Sequence, residues 1–427
     1  MNFKPGYLSI WFFALSVISP HTLAQTLQEA IQVTIDRNPE IQSLKADRLA
    51  VEHEIAQARA GYFPTLDIQA GIGWEQTNSP GTRARGVGSA SYGREETSVN
   101  LRQMLFDGFA TKNEVERHTA RANARAHAVF GLSENIALRA TEAYISILRH
   151  RELVTLNTEN LSIHRKTHKQ ITLRSDHGVG RAVDAEQSYG RLALAERNTL
   201  SATGNLLDAE TTFLRIAGVL PQDLEQPSFP SELDKNFPSS LDQAIALALS
   251  NHPTLKSANS DIDSAFSQHA TAKSPYMPRL DVEASASHNV DNDGSRGKNE
   301  DAFLMLRLRY NLLNGGKDLA RRKETAQRIN QAKSIRDNTY RQVIETIRLS
   351  WVAHQTIKSQ LIFFKYHTEA SIKSNSAYQK QFNFGQRTLL DLLDSANEMF
   401  VAKSAYANAK YDEIYSEYRI LNALGKL

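Results

Sequence analysis

The chain has 427 residues, 23% of them charged, and its formal net charge is only +3. So small a net charge on this composition excludes a nucleic-acid-binding protein. The chain contains no cysteine, which excludes disulfides, thiolate metal sites, a cysteine nucleophile and lipid modification of an N-terminal cysteine.

The first 24 residues have the three parts of a secretory signal peptide. Lys4 supplies a positive charge, Leu8–Ile18 is a short apolar run, and small residues end the segment at Ala24. The run is too short for a transmembrane helix. We therefore predict a signal peptide over residues 1–24 and an exported mature chain that begins near Gln25.

The mature sequence contains one pattern twice. Thr26–Ile31 (TLQEAI) recurs as Ser240–Ile245 (SLDQAI), and Asn38-Pro39 recurs at the same offset as His252-Pro253. The period is far longer than that of solenoid repeats and indicates a duplicated domain. We predict a first structural repeat over residues 25–220, an irregular proline-containing connector over 221–239, and a second structural repeat over 240–427.

Long helices are expected in both halves. Leu27–Ala60 is predicted to be helical, with a proline only at Pro39. Phe109–Ser175 and Lys317–Gln381 contain no proline, and each could form a helix about 100 Å long at 1.5 Å per residue. The last helix, Leu389–Leu421, has a narrow apolar seam with positions mostly three or four residues apart. Long helices with such seams are typical of coiled coils rather than of an ordinary bundle core.

Four short runs alternate apolar and polar residues, as β-strands with one apolar face do. They begin near Leu66, Ser98, Leu280 and Leu304, and each covers about 9 residues, the length of a tilted membrane-spanning strand. A half-buried sheet in a soluble protein alternates in the same way. Polar loops over Glu75–Glu95 and Asn289–Asp301 are predicted to join each pair of strands, and long loops of this kind favour the membrane interpretation.

Four strands are too few for a closed membrane barrel, which needs about 8. An open sheet edge in lipid would leave unpaired backbone groups at a cost of several kcal/mol each. The chain is therefore predicted to oligomerise with four strands from each copy. A dimer and a trimer both satisfy this requirement.

These residues resemble the TolC family of outer-membrane export channels over nearly the whole mature chain. The most specific segment is Phe384–Ser395 (FGQRTLLDLLDS), with a weaker counterpart at His177–Asp184. The resemblance implies an α+β membrane protein that forms a homotrimer, with a 12-stranded β-barrel continuous with a long α-helical coiled-coil barrel. It also implies a location in the outer membrane of a Gram-negative cell, extending into the periplasm, and no enzymatic activity, cofactor or metal.

The family resemblance also implies partners and a cargo route. The channel would dock with a periplasmic adaptor and with an inner-membrane ABC exporter or proton-driven pump. Because the chain has no cysteine to carry a lipid anchor, we expect type I protein secretion, with multidrug efflux as the alternative.

Asp391 and Asp394 are the candidate pore residues. They lie three apart and so share a helix face, and a threefold pore would bring two carboxylates from each of three chains into one constriction. Such a ring attracts cations, and its members raise one another's pKa. The resemblance identifies this position as the selectivity constriction. Thr388 and Asp391 also fit a local capping box, which would explain Asp391 without a pore.

The resemblance also implies a latch that holds the periplasmic entrance closed. Arg387 and Asp184 match the positions of its charged link. Phe382 stands where the family often has a tyrosine, and it cannot donate a hydroxyl hydrogen bond, so a looser closed state is expected.

Two other classes of protein would explain part of the sequence. An exported metalloenzyme would need more than His164 and His168, which lie i,i+4 on a helix without a third ligand of suitable spacing. A soluble periplasmic coiled-coil scaffold would explain the long helices but not the four alternating strands.

Overall fold

The computed structural model describes residues 26–221, 223–227 and 237–427. The predicted signal peptide, residues 1–24, lies outside the described residues. The same is true of residues 222 and 228–236, which fall within the predicted connector. The boundaries of the two structural repeats remain a prediction.

The first half of the chain passes from two helices through two strands into a long helical hairpin. Its elements are α1 (Leu27–Arg37), α2 (Pro39–Ala60), β1 (Thr65–Thr77), α3 (Pro80–Ala84), β2 (Ala90–Phe106), α4 (Ala110–Asp176) and α5 (Ala182–Ala217).

The second half repeats this order, with a 3-10 turn in place of a direct crossing from helix to strand. Its elements are α6 (Leu241–Asn251), α7 (Pro253–Thr271), the turn Ser274–Tyr276, β3 (Arg279–Val290), β4 (Lys298–Arg309), α8 (Lys317–Asn383) and α9 (Leu389–Leu424).

The helix predicted over Leu27–Ala60 is interrupted at Asn38. The Asn38 backbone is extended, and its side-chain oxygen accepts the Glu40 N–H at 2.9 Å. Pro39 occupies the first helical position, where its missing N–H costs nothing. His252 caps α7 in the same way before Pro253, since its Nδ1 accepts the Thr254 N–H at 3.3 Å. The single helix predicted over Leu27–Ala60 is therefore two helices, because Asn38 ends α1 and caps the start of α2.

The four strands form one antiparallel sheet in the order β1-β2-β3-β4. Apolar residues meet across each pair, as in Leu66 opposite Leu101 and Val282 opposite Leu306. This face is open to its surroundings in the protomer, with Ile72 85% exposed. A sheet with so much exposed apolar surface on one face requires lipid or protein against it.

The opposite face of the sheet is polar and charged. Asp281 is fully buried between two guanidinium groups, with Arg309 Nη1 at 2.7 Å and Arg279 Nε at 3.0 Å from its carboxylate. Glu283 accepts from Arg307 Nε at 2.6 Å. The two faces therefore differ as the alternating sequence predicts, one suited to lipid and the other to water.

The strands are longer and the joining loops shorter than predicted. β1 has 13 residues and β2 has 17, so the loop of the first pair shrinks to residues 78–89 and contains α3. Arg94 pairs with Glu75 on the neighbouring strand and with Glu96 on its own. These ion pairs on the polar face extend the ladder beyond the apolar run from which the prediction was made.

α4 and α8 have 67 residues each, in agreement with the predicted long helices. At 1.5 Å per residue each spans about 100 Å. No helix in the described parts of the chain combines the length and the apolarity needed to cross a membrane.

The main core lies where α1, α4, α5 and α9 meet. Large side chains with almost no exposed surface fill it, among them Tyr144, Phe213, Tyr411 and Tyr418. A second apolar cluster joins α6 to α8 and α9 through Ala244, Ile347 and Leu424. These clusters fix the long helices against one another and so determine where their far ends lie.

Candidate functional site

The functional candidates lie at two helical hairpin tips, at the end of the long helices that is remote from the sheet. α4 and α8 each leave the sheet and run for 67 residues before their turns. The turns at residues 177–181 and 384–388 use the same backbone geometry, with Gly178 at φ 72° and Gly385 at φ 75°. Glycine adopts this left-handed conformation without the steric penalty of a Cβ, which explains its place at both helix ends.

A small apolar core holds the two tips together. Phe382 is only 6% exposed and packs with Ile171, Leu389, Leu392 and Leu393. The Arg174 guanidinium carbon lies 5.2 Å from the centre of the Phe382 ring, close enough for a cation–π contact. Phe382 therefore supports the tip from inside the protomer.

Asp391 takes part in the capping box at the start of α9. Its carboxylate accepts the Thr388 N–H at 3.1 Å and the Thr388 hydroxyl at 2.9 Å, and its own N–H donates to Thr388 Oγ1 at 3.2 Å. These hydrogen bonds from Thr388, with a smaller effect of the Arg387 charge, lower the pKa of Asp391 below its usual value. The carboxylate is therefore ionised in the protomer at neutral pH, and its capping role leaves it at the surface.

Asp394 lies almost one turn further along α9 and has a side chain 60% exposed. It forms an ion pair with Arg191 of α5, with 3.2 Å between Nη2 and Oδ1. Leu392 and Leu393, between the two aspartates in sequence, are buried in the tip core. The packing therefore separates an apolar inner side of α9 from a side that carries both carboxylates.

Arg387 and Asp184, the two charged latch candidates, do not contact each other within the described protomer. Arg387 donates from Nε to Gln381 Oε1 at 3.0 Å, and its guanidinium carbon lies 4.7 Å from the centre of the Tyr378 ring. Asp184 lies in the first turn of α5, where the helix dipole favours a negative charge.

Two residues of this site were missed by the sequence analysis, Arg191 and Tyr378. Arg191 follows Asp184 by seven residues, which is nearly two helical turns and places both on one side of α5. That spacing could have drawn attention to Arg191. Nothing in the local pattern indicates that Tyr378 stacks on Arg387.

The two helical histidines that raised the metalloenzyme alternative differ in their surroundings, and His164 Nδ1 is buried without a hydrogen-bond partner among the described residues. His168 Nδ1 lies 2.8 Å from the Ser188 hydroxyl. Burial, with a smaller contribution from the Arg191 charge, lowers the pKa of His164. Both side chains lie between α4 and α5, and they share no third metal ligand within the part of the chain that is described.

Comparison with known proteins places this arrangement in a family. A family model described as outer membrane efflux protein matches residues 30–219 and 244–426, which is most of the chain. The chain belongs to the outer membrane efflux protein family. The two matched segments correspond to the two halves of the fold, each with its strand pair and its long hairpin.

Three relatives span nearly the whole chain. Outer membrane efflux protein BepC of Brucella suis biovar 1 is 24% identical over 406 residues, covering 95% of this chain and 86% of BepC. Outer membrane protein TolC of Escherichia coli K12 is 24% identical over 432 residues, covering 97% of this chain and 85% of TolC. Alkaline protease secretion protein AprF of Pseudomonas aeruginosa is 21% identical over 421 residues, covering 97% of this chain and 87% of AprF.

Among solved structures, the CmeC outer membrane channel of Campylobacter jejuni superimposes with a TM-score of 0.82 at 13% identity, covering 100% of this chain and 94% of CmeC. The predicted TolC-family fold, with four strands per chain and a long helical coiled coil, is confirmed.

Family membership fixes the general role. The protein is a channel of the Gram-negative outer membrane, and it is not an enzyme. Channels of this family act as trimeric outer-membrane components of tripartite efflux and secretion systems. This excludes the soluble periplasmic scaffold.

Proposed function

We propose that the hairpin tips form the periplasmic entrance of the channel and that Asp391 and Asp394 line its constriction. The observation that carries the proposal is the position of both carboxylates, at the surface of α9 and about 100 Å from the sheet along the long helices. A trimer would gather two such carboxylates from each chain around its axis. A ring of this kind selects cations.

Contacts within the protomer would influence the charge balance of this ring. Hydrogen bonds from Thr388 favour the ionised form of Asp391, whereas neighbouring carboxylates in a trimer would oppose ionisation. Arg191 offsets one of the two negative charges through its ion pair with Asp394. The constriction would therefore carry less net negative charge per chain than the two aspartates alone would give.

We further propose that the latch acts between protomers. Because Arg387 contacts Gln381 and Tyr378 within its own chain, its link to Asp184 would form across the boundary with a neighbouring chain. Phe382 would contribute by packing the tip and not by hydrogen bonding. Docking of the adaptor and transporter would open the entrance by breaking the link between chains.

Replacement of Arg191 by glutamine is expected to increase cation selectivity. The variant leaves Asp394 without its partner, so the constriction gains about one uncompensated negative charge per chain. An exposed ion pair is worth at most about 1 kcal/mol, so we expect a shift of a few-fold in the permeability ratio of cations to anions. Reversal potentials across planar bilayers in asymmetric KCl measure this ratio.

The matched control is Arg165→Gln, which breaks an exposed pair between α4 and α5, with 3.5 Å from Arg165 Nη2 to Glu196 Oε1. It should leave the ratio unchanged. An equal shift in both variants, or none with Arg191→Gln, would remove Arg191 from the constriction.

We propose that the cargo is protein, exported by type I secretion with an ABC exporter and a periplasmic adaptor. The support is the likeness to AprF, a protein named for alkaline protease secretion, over 87% of its length. The alternative is multidrug efflux with a proton-driven pump, and the likeness to BepC, named as an efflux protein, supports it.

Deletion of the gene in its own host distinguishes the two cargoes. For type I secretion, specific polypeptides disappear from the culture medium while minimum inhibitory concentrations of drugs stay unchanged, and the plasmid-borne gene restores secretion. Quantitative proteomics of the medium and drug susceptibility assays provide the two readings. A fall in drug resistance with an unchanged set of secreted proteins would favour efflux instead.

A further inference from the structure

A histidine and two glutamates meet where α8 packs against α9, roughly midway along α8 and far from the hairpin tips. A ring nitrogen of His354 and one carboxylate oxygen each from Glu413 and Glu417 all lie within 4.8 Å of one another. Glu413 and Glu417 are one turn apart on α9, so they share a helix face. His354 faces them from α8 and is only 2% exposed.

The hydrogen bonds around His354 determine which ring nitrogen can accept a ligand. The Ser416 hydroxyl donates to the Glu413 carbonyl oxygen at 2.6 Å, which uses its only proton. The contact of 2.9 Å between His354 Nδ1 and Ser416 Oγ therefore requires Nδ1 to be the donor. Nε2 then carries the lone pair. Metal-binding histidines are commonly oriented by such a hydrogen bond from their other nitrogen.

The electrostatics of the cluster favour an added cation. His354 is buried and both glutamates are half-buried, so their carboxylates are partly removed from water, and a cation bound between them would replace part of the lost hydration. A neutral imidazole is the form that binds metals. Lys358, one turn beyond His354 on α8, acts electrostatically on Glu413 and His354 and would compete with a bound cation.

We propose that His354, Glu413 and Glu417 bind one divalent transition-metal ion per protomer, with zinc as the representative ion. Imidazole nitrogen and carboxylate oxygen both suit Zn²⁺, and water would complete the coordination. Ligand atoms around tetrahedral zinc lie about 3.3 Å apart, so binding draws the carboxylates inward from their present separation. The ion cross-links α8 and α9. This site is independent of the pore proposal.

Titration of the full-length, detergent-purified protein with ZnCl₂ tests the site after removal of metals by EDTA. We expect one Zn²⁺ bound per protomer in calorimetry and an increase in melting temperature. His354→Gln and Glu413→Gln are each expected to weaken binding by at least about tenfold. Lys358→Gln removes the competing ammonium group and is expected to tighten binding, which adventitious surface binding would not show.

The matched control is His367→Gln, which removes an exposed histidine of α8 whose Nε2 lies 3.5 Å from Glu398 of α9. It should leave stoichiometry and affinity unchanged. The melting temperature measured without zinc shows whether each variant is folded. If His354→Gln does not fold, Glu413→Gln and Lys358→Gln still test the site. Binding that is unchanged in Glu413→Gln and Lys358→Gln, or lost in His367→Gln, would overturn the proposal.

Discussion

Replacement of both Asp391 and Asp394 by asparagine is expected to abolish most of the cation selectivity of the channel. A unit charge contributes about 1 kcal/mol at 4 Å even in water, so loss of two per chain should lower the ratio of cation to anion permeability on the order of tenfold or more. Block by divalent cations should weaken as well. Single-channel recording in planar bilayers measures both quantities.

Two further variants separate the pore role from helix capping. Asp394→Asn removes a charge that has no part in the capping box, so a selectivity change in this variant reports the constriction alone. Asp337→Asn is the control, because Asp337 is also 60% exposed but lies on α8 far from the tip. Unchanged selectivity in Asp394→Asn and in the double variant would return Asp391 to capping only.

Replacement of Gly108 by alanine is expected to prevent assembly of most of the protein. Gly108 has φ 67°, and a Cβ there would lie 2.7 Å from the Ser274 carbonyl oxygen and 3.0 Å from Met277 Cβ. The left-handed backbone costs a non-glycine residue about 1–2 kcal/mol. Overpacking adds about 1–3 kcal/mol. The yield of folded trimer in the outer membrane and its melting temperature give the result.

The duplicated sequence supplies the control for this prediction. Gly315 occupies the position in the second half that corresponds to Gly108, with φ 54° and no atom within 4 Å of an added Cβ. Gly315→Ala should therefore cost only the backbone term of about 1–2 kcal/mol and still assemble. Equal loss in both variants would show that backbone conformation alone, and not the approach to Ser274, decides the effect.

The elements encoded by consecutive residues were predictable. The alternation along Leu304–Leu308 indicated both faces of β4, and the absence of proline indicated α4 and α8 to within a few residues. Such patterns are local because a strand repeats every two residues and a helix about every four. The arithmetic of four strands per chain then required an oligomer.

Elements whose ends depend on side-chain partners were predicted less well. The extra length of β1 and β2 comes with the ion pairs of Arg94, and the break at Asn38 comes from a cap that the apolar periodicity does not reveal. In both cases polar hydrogen bonds extend or end an element independently of its apolar pattern.

The sequence by itself determined the fold class, the repeated elements and the placement of Asp391 and Asp394 on one helix face. The tertiary structure alone decided which side chains meet across helices. It paired Arg191 with Asp394, buried Phe382 in the tip and brought His354 to Glu413 and Glu417. These contacts join residues on different helices, and their existence depends on how two helix faces pack together, which no periodicity within one helix can specify.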